Sequence, residues 1–197
     1  MSEREQPKLP LLTERLELRD FGEADVEWVQ AWACDPAVVR FMPWGPNTPE
    51  QTREFLQRKF AERTGVPRRT WDLAVVNHGT GRLIGSAGLR LDETLQQAYI
   101  GYCFHRDAWG HGFATEAARV LLRFGFEQLG LHRIHATVDS RNGASIRVLD
   151  KIGMRQEGRL REHLMQRGEW RDSFLYAILR REWDATAGAA RPNPDTE

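Results

Sequence analysis

Two glycines separated by one residue lie where the sequence changes from strand-like to helix-like character. Residues 99–104 form an apolar run with the length and composition of a strand, and from Ala114 onwards the apolar residues follow helical spacing. Gly110 and Gly112 stand between the two segments, add no side chain and adopt positive φ easily. The first N–H groups of a helix have no partner within it, and the helix dipole places positive charge there. A phosphate can bind directly to such a backbone, so the pattern predicts a pyrophosphate-binding loop.

The same two glycines are also typical of a tight strand-to-helix turn that binds nothing, and a G-x-G pair alone favours that simpler interpretation. Two familiar nucleotide-binding loops do not match. A Walker A loop requires a Gly-Lys pair, and none follows Gly112. A Rossmann loop requires Gly or Ala three residues after Gly112, where this chain has Thr115.

The composition is that of one globular domain without a strong electrostatic preference. The 197 residues suffice for a single core, and 28 basic residues balance 28 acidic ones. We therefore expect neither nucleic acid nor an anionic membrane as a partner. No apolar run approaches the roughly 18 residues of a membrane span, and no signal peptide is visible. Cys34 and Cys103 lack metal-binding spacing, so we expect free thiols in a cytoplasmic protein that uses no metal.

Periodicity divides the chain into a flexible N-terminus (1–10), a single domain (11–184) and an Ala/Gly/Pro-rich, disordered tail (185–197). Alternating or continuous apolar patterns predict seven strands, at 15–19, 71–76, 83–91, 99–104, 133–138, 154–165 and 171–179. Helical spacing predicts four helices, at 23–33, 48–63, 115–129 and 143–151. Thr48 is expected as the N-cap of the second helix, with Gln51 completing a capping box.

An irregular aromatic segment, residues 41–46, separates the first two predicted helices. Its prolines and glycine keep it out of regular structure, which favours an exposed loop. Trp44 at its centre is interpreted either as a pocket wall or as a plug of the core, and the irregular backbone slightly favours the pocket.

Three sequence blocks, in order, carry a resemblance to a known family. The first is W-G-x-G-x-A at residues 109–114, and the second is N-x-x-S-x-x-x-x-x-K-x-G from Asn142 through Ser145 and Lys151 to Gly153. The third is E-G-x-L-R at 157–161 followed by G-x-W-x-D at 168–172. Together they resemble the GNAT acyltransferase superfamily, and more narrowly its ribosomal-protein-alanine N-acetyltransferase (RimJ/RimL-like) branch. The resemblance spans roughly residues 11–183, with Trp109 where most of the superfamily has Gln or Arg.

The resemblance implies a fold and a co-substrate. The fold is α+β: a mixed, largely antiparallel twisted sheet of about seven strands with helices on both faces, splayed between the strands at 99 and 133. The co-substrate is acetyl-CoA. Its pyrophosphate would lie on the backbone of Trp109, Gly110, His111, Gly112, Phe113, Ala114 and Thr115, and its pantetheine arm along Tyr102, Cys103 and Phe104. Asn142, Ser145, Arg147 and Lys151 would add contacts from the following helix, while Trp44 and Tyr99 would bind the acceptor.

Some of these residues have an alternative interpretation that does not involve the cofactor. Arg147 and Lys151 lie one helical turn apart and would meet the 3′-phosphate of CoA, or else form an ordinary solvated helix face. Ser145 would protonate the departing thiolate, because the tyrosine that many relatives use is Leu149 here. Its alternative role is to satisfy a backbone N–H in the first turn of the helix.

The general base is the least defined group. Many relatives carry Glu where this chain has Tyr99, and others carry Glu where it has Leu164. Glu162 and His163 lie next to that second position, and only one of the two can face the cleft. Imidazole titrates nearest neutral pH, which favours His163, although a surface charge and a partly packed ring are equally good interpretations.

Three functions remain open from the sequence. The first is acetylation of a protein N-terminus, whose α-amine has a pKa near 7.7–8.0 and costs only about 1–1.4 kcal/mol to deprotonate at pH 7. The second is acetylation of a small amine such as an amino sugar, a polyamine or an amino acid; a lysine-like amine would cost about 4.6 kcal/mol. The third is a non-catalytic acyl-CoA-binding module. Either a monomer or a homodimer is compatible with the sequence.

Overall fold

The fold is built on one eight-stranded sheet. The computed structural model describes residues 7–189, with residues 186–189 described by their backbone alone. The strands are β1 (Leu11–Leu12), β2 (Leu16–Asp20), β3 (Thr70–Asn77), β4 (Leu83–Leu91), β5 (Gln97–Phe104), β6 (Arg133–Asp139), β7 (Arg155–Gln166) and β8 (Glu169–Leu179). Their order is β1-β2-β3-β4-β5-β6-β8-β7, and only β5 and β6 pair in parallel. The predicted mixed, largely antiparallel sheet is confirmed, and the two-residue β1 makes it one strand larger than expected.

Helices cover both faces of the sheet, as predicted. They are α1 (Val26–Ala33), α2 (Pro49–Arg63), α3 (Phe113–Arg123), α4 (Gly143–Lys151) and α5 (Arg180–Ala189). Because side chains alternate along a strand, each face has its own core. Leu73 and Ile100 join the cluster that holds α3 and α4, whereas Ala74 and Cys103 join the cluster that holds α1 and α2.

Local sequence signals set the helix boundaries. Thr48 caps α2: its Oγ1 accepts from the Gln51 N–H at 3.3 Å, and the Gln51 side chain accepts from the Thr48 N–H at 2.8 Å. α3 starts at Phe113, two residues earlier than predicted, because Gly112 takes φ +81° and serves as its N-cap. A π-helical turn at Phe124–Gln128 then extends it, so the predicted helix of about four turns is present.

The two chain ends differ from expectation in part. The Lys8 N–H donates to Gln128 Oε1 at 2.9 Å, so part of the predicted flexible N-terminus contacts the domain. α5 runs from Arg180 to Ala189, so residues 185–189 of the segment predicted as a tail are helical in this structure. Residues 1–6 and 190–197 lie outside the described residues.

The sheet splits at its centre. β5 and β6 pair only at Gln97↔Arg133, Ala98↔Ile134 and Tyr99↔His135, and the pairing then stops. Beyond Tyr99, β6 forms no further pairs with β5 among the described residues, and the edge of β5 that faces β6 is open. This open edge runs towards the glycine loop, as the predicted splay requires.

Candidate active site

The glycine loop presents unpaired N–H groups at the start of α3. Gly110 and Gly112 have φ of +79° and +81°, values that L side chains rarely adopt. The first intrahelical bond joins the Glu116 N–H to the Gly112 carbonyl at 3.1 Å. The N–H groups of the three residues between them therefore have no partner inside the helix. With the helix dipole, they form a site suited to a phosphate group.

Residues of the loop between β1 and β2 hold the glycine loop through an ion pair with α3. Arg15 donates to Glu116 Oε2 through Nε at 2.7 Å and Nη2 at 2.5 Å, and its Nη1 donates to the His111 carbonyl at 3.1 Å. Thr13 Oγ1 also donates to Glu116 at 2.6 Å. Burial alone would raise the pKa of Glu116, but these hydrogen bonds outweigh it and lower the pKa. Sequence reasoning missed this contact, since 101 residues separate Arg15 from Glu116.

A cavity of about 420 Å³ lies between the open edge of β5, the glycine loop and α4. Its walls include almost every residue that the sequence suggested for the cofactor: Tyr102, Cys103, Phe104, Trp109, Gly110, Gly112, Phe113, Ala114, Thr115, Asn142, Ser145, Arg147 and Lys151. His111 does not line it; its ring stacks on Phe113 and its carbonyl faces Arg15. We call this the cofactor cavity.

Phe104 supplies a backbone donor at the end of the open edge. The next N–H, that of His105, donates to Ile84 of β4 at 2.8 Å. Successive N–H groups of a strand point to opposite sides, so the Phe104 N–H points away from β4 and towards the opening. The Phe104 carbonyl is held by the Trp109 indole, whose Nε1 donates to it at 2.9 Å.

Two hydroxyl groups meet inside the cofactor cavity. Tyr102 Oη lies 2.8 Å from Ser145 Oγ, at a distance where either can donate. Burial raises the pKa of Tyr102 to about 12, so the phenol stays protonated at neutral pH. The N-cap of α4 is Asn142, whose Oδ1 accepts from the Ser145 N–H at 3.2 Å. The Ser145 hydroxyl is therefore bonded to a tyrosine rather than to the backbone N–H groups of its own helix.

A second cavity, of about 730 Å³, opens on the face of the sheet covered by α1 and α2. Trp44 and Tyr99, the two residues that the sequence suggested for acceptor binding, both line it and are 36% and 40% exposed. We call it the acceptor cavity. It shares Met42, Tyr102 and Cys103 with the cofactor cavity, so the two meet across β5. Burial raises the pKa of the Cys103 thiol at this junction to about 12, which keeps it protonated.

The tip of the β7–β8 hairpin holds the loop that carries Trp44. Arg167 donates to the carbonyls of Val39, Arg40, Trp44 and Gly45 at 3.0–3.3 Å. The neighbouring Gln166 side chain donates to the Met42 carbonyl. No sequence pattern indicated this contact, because more than 120 residues separate its partners.

The structure does not bring Glu162 and His163 to either cavity. The β7–β8 register shifts between Leu160 and Leu164, so both residues lie in a bulge of the strand. The Glu162 N–H donates to Asp172 Oδ1 at 2.8 Å, and His163 Nδ1 lies 3.1 Å from Ser173 Oγ. The two candidate bases are thus separated from Ser145, with which the sequence grouped them.

The described part of the chain, residues 7–189, offers neither a metal site nor a membrane span. These residues contain no group of three or more His, Cys, Asp or Glu side chains that could hold a metal ion. None of their helices is both long and apolar enough to cross a membrane.

Comparison with known proteins places this architecture in a family. The family described as "Acetyltransferase (GNAT) domain" matches residues 15–155. The uncharacterized N-acetyltransferase YnaD of Bacillus subtilis is 33% identical over 177 residues, covering 88% of this chain and 99% of that relative. A crystal structure of a GNAT-family acetyltransferase from Bacillus anthracis superposes with a TM-score of 0.79 at 32% identity, over 88% of this chain and 99% of that one. A shorter match of 31% over 85 residues, 43% of this chain and 44% of the relative, is to the [ribosomal protein uS5]-alanine N-acetyltransferase of Escherichia coli.

The chain belongs to the GNAT family of acetyltransferases. It is an N-acetyltransferase, and some of its relatives are named as ribosomal N-acetyltransferases, the branch that its sequence blocks resemble.

Proposed function

We propose that this enzyme transfers the acetyl group of acetyl-CoA to the N-terminal α-amine of a protein. One observation carries the proposal: the cofactor cavity and the acceptor cavity meet at Tyr102 and Cys103, beside the open edge of β5. An acyl group lying along that edge is within reach of an amine that enters from the opposite face. The coenzyme supplies the activated thioester when it is bound.

The chain's own groups fit the steps of acyl transfer. The unpaired N–H groups after Gly112 would bind the pyrophosphate, and the outward N–H of Phe104 would hold the oxyanion that develops on the acetyl carbonyl. Ser145, bonded to Tyr102, would supply a proton to the departing thiolate. A thiol near pKa 8.5 is a tolerable leaving group, so this proton is worth on the order of 10²-fold.

Two observations support a protein N-terminus over a small amine. The acceptor cavity is wide, and the partly exposed Trp44 and Tyr99 on its walls leave room for a chain that continues outside it. The E. coli relative is named as an N-acetyltransferase of an alanine of ribosomal protein uS5. An α-amine also costs less to deprotonate at pH 7 than an alkyl amine does.

An acceptor screen tests the proposal. Thiol release and mass spectrometry would follow acetyl-CoA with a pool of pentapeptides that differ in their first residue, and with a pool of spermidine, glucosamine and lysine. We expect acetylation of peptide α-amines. Acetylation of the small amines alone would contradict the proposal and identify a small-molecule acceptor. CoA binding without transfer to either pool would identify the protein as a non-catalytic acyl-CoA-binding module.

A further inference from the structure

A groove crosses the sheet on the wall of the acceptor cavity. Asp72 of β3, Gly88 of β4 and Gly101 of β5 are register partners in a row across three strands. All three line the acceptor cavity, together with Tyr99. Because neither glycine has a side chain, the row leaves a trough that runs from Asp72 to β5.

The Asp72 carboxylate occupies this trough. A Cβ on Gly88 would overlap Asp72 Oδ1 and lie 3.2 Å from its Cγ, so the carboxylate extends over Gly88 towards β5. At the other end, the Tyr99 ring lies over Gly101, with Cε1 3.4 Å from where a Cβ would be. Gly101 is two residues before Cys103, which is about 6.6 Å along the strand.

One oxygen of the carboxylate is held and the other points into the groove. Lys59 of α2 lies 2.5 Å from Asp72 Oδ2, and it also bonds Glu62 at 2.9 Å. Asp72 Oδ1 has no protein hydrogen-bond partner among the described residues. The remaining charges around it are Arg90 of β4 and, on α2, Arg58 and Glu54, all on the walls of the same cavity.

Tyr99 links this carboxylate to the reaction. Burial raises the pKa of the Tyr99 hydroxyl; a hydrogen bond with Thr137 and the charge of Arg90 oppose that shift, and the negative charge of Asp72 adds to it. The Asp72 carboxylate and the Tyr99 ring therefore lie at the two ends of one trough, on the acceptor side of β5.

We propose that Asp72 binds the ammonium group of the acceptor and accepts its proton, directly or through one water. This inference rests on the proposed function. The proton moves from the ammonium nitrogen to Asp72 Oδ1, and the freed lone pair forms the C–N bond at the thioester carbonyl. The C–S bond then breaks with its electron pair on sulfur, Ser145 gives its proton to the thiolate and takes the second amine proton in its place, and Asp72 returns its proton to solvent.

Asp72→Asn tests the assignment, with Asp20→Asn as a matched control. Asp20 is also a strand carboxylate in a 2.5 Å ion pair, with Arg68, and it is 31% exposed against 32% for Asp72, but it lies outside the acceptor cavity. The readout is kcat/KM at pH 6.5 and at pH 9, measured with the reactive pool from the acceptor screen. Calorimetry with CoA reports whether each variant is folded and still binds the coenzyme.

Asp72→Asn should lower kcat/KM at least tenfold at pH 6.5 and recover most of the loss at pH 9. An α-amine with a pKa near 7.7–8.0 is already neutral at pH 9 and needs no base. Asp20→Asn should match the wild type at both pH values. An Asp72→Asn activity equal to wild type at pH 6.5, or a deficit that is the same at both pH values, would overturn the assignment.

Gly88→Ala gives an independent check, because its methyl group displaces the carboxylate while the charge remains. It should reproduce the pH-dependent loss, and it replaces Asp72→Asn if that variant fails to bind CoA. If Asp72→Asn and Gly88→Ala are both folded and both as active as the wild type, the role of Asp72 is refuted while the proposed function stands. A wild type that transfers to neither pool refutes the proposed function and the role of Asp72 with it.

Discussion

The cofactor cavity and the acceptor cavity share Met42, Tyr102 and Cys103, yet they are assembled differently. The cofactor cavity is lined by four stretches of chain, and two of them begin at a helix N-terminus, after Gly112 and after Asn142, where backbone N–H groups have no partner within the helix. The acceptor cavity is lined by side chains from α1, α2, the loop around Trp44 and strands β3 to β5. We infer that the first is adapted to one constant ligand and the second to a variable one.

This difference predicts that variants separate by cavity. Changes on the cofactor side should alter CoA affinity or the chemical step. Changes on the acceptor side should alter acceptor recognition or, at Asp72, the proton transfer, and should leave CoA affinity unchanged.

Ser145→Ala removes the hydroxyl that bonds Tyr102 inside the cofactor cavity. We expect kcat to fall about ten- to a hundredfold with little change in the KM for acetyl-CoA, because the interaction forms mainly in the transition state. Steady-state kinetics on the reactive pool measures this, with Ser140→Ala, which lies outside both cavities, as the control. A raised KM with unchanged kcat would make Ser145 a binding residue.

Trp44→Ala should act on the acceptor side alone. The ring packs edge-on against Trp32 with centroids 5.8 Å apart, so its loss removes a wall of the acceptor cavity. We expect the acceptor KM to rise about tenfold, equivalent to 1.4 kcal/mol, with CoA affinity unchanged. Trp28→Ala is the control, since Trp28 is 40% exposed but lines neither cavity. Weaker CoA binding in Trp44→Ala would show that the two cavities are not separable.

Asp25→Asn should have the smallest effect, on stability only. Asp25 accepts from Arg19 at 2.7 and 2.9 Å and from the Gly22 N–H at 2.8 Å, just before α1. Burial opposes these bonds, but together they lower the pKa of Asp25. Replacing a charged acceptor with a neutral one should reduce the free energy of unfolding by about 1 kcal/mol at pH 7.

The sign of the pH dependence follows from that lowered pKa. The stabilisation is fully present above the unfolded pKa of about 3.9 and is lost as the pH falls through the folded pKa. Urea unfolding at pH 7 and at pH 3 measures it: the gap between wild type and Asp25→Asn should shrink at pH 3. A gap that stays constant or widens on acidification contradicts the account.

The same contrast explains what the sequence could predict. Strand and helix positions, the capping box at Thr48 and the glycine loop depend on neighbours within about four residues, and periodicity and short motifs report such neighbours directly. The recognition of the cofactor residues followed from those motifs, and the structure gathers all of them except His111 around one cavity.

The parts that escaped prediction depend on contacts distant in sequence. Arg15 meets Glu116, and Arg167 meets the loop at Trp44, only after the sheet has formed. No sequence pattern singled out Asp72. Its carboxylate reaches into the groove only because Gly88, 16 residues away on the next strand, has no side chain to block it. Glu162 and His163 were suggested by their place beside Leu164, and the strand alternation that would turn one of them towards the cleft is interrupted by the bulge in β7.

The affinity of CoA for Gly112→Val tests the central claim most directly, namely that backbone N–H groups at the start of α3 bind the coenzyme. Gly81→Val is the control, because Gly81 also has positive φ, +65°, with nothing within 4 Å of an added Cβ. It therefore reports the cost of backbone strain away from the cavity. Calorimetry on the folded variants should show CoA binding weakened at least tenfold in Gly112→Val and unchanged in Gly81→Val. Wild-type CoA affinity in folded Gly112→Val would contradict the account.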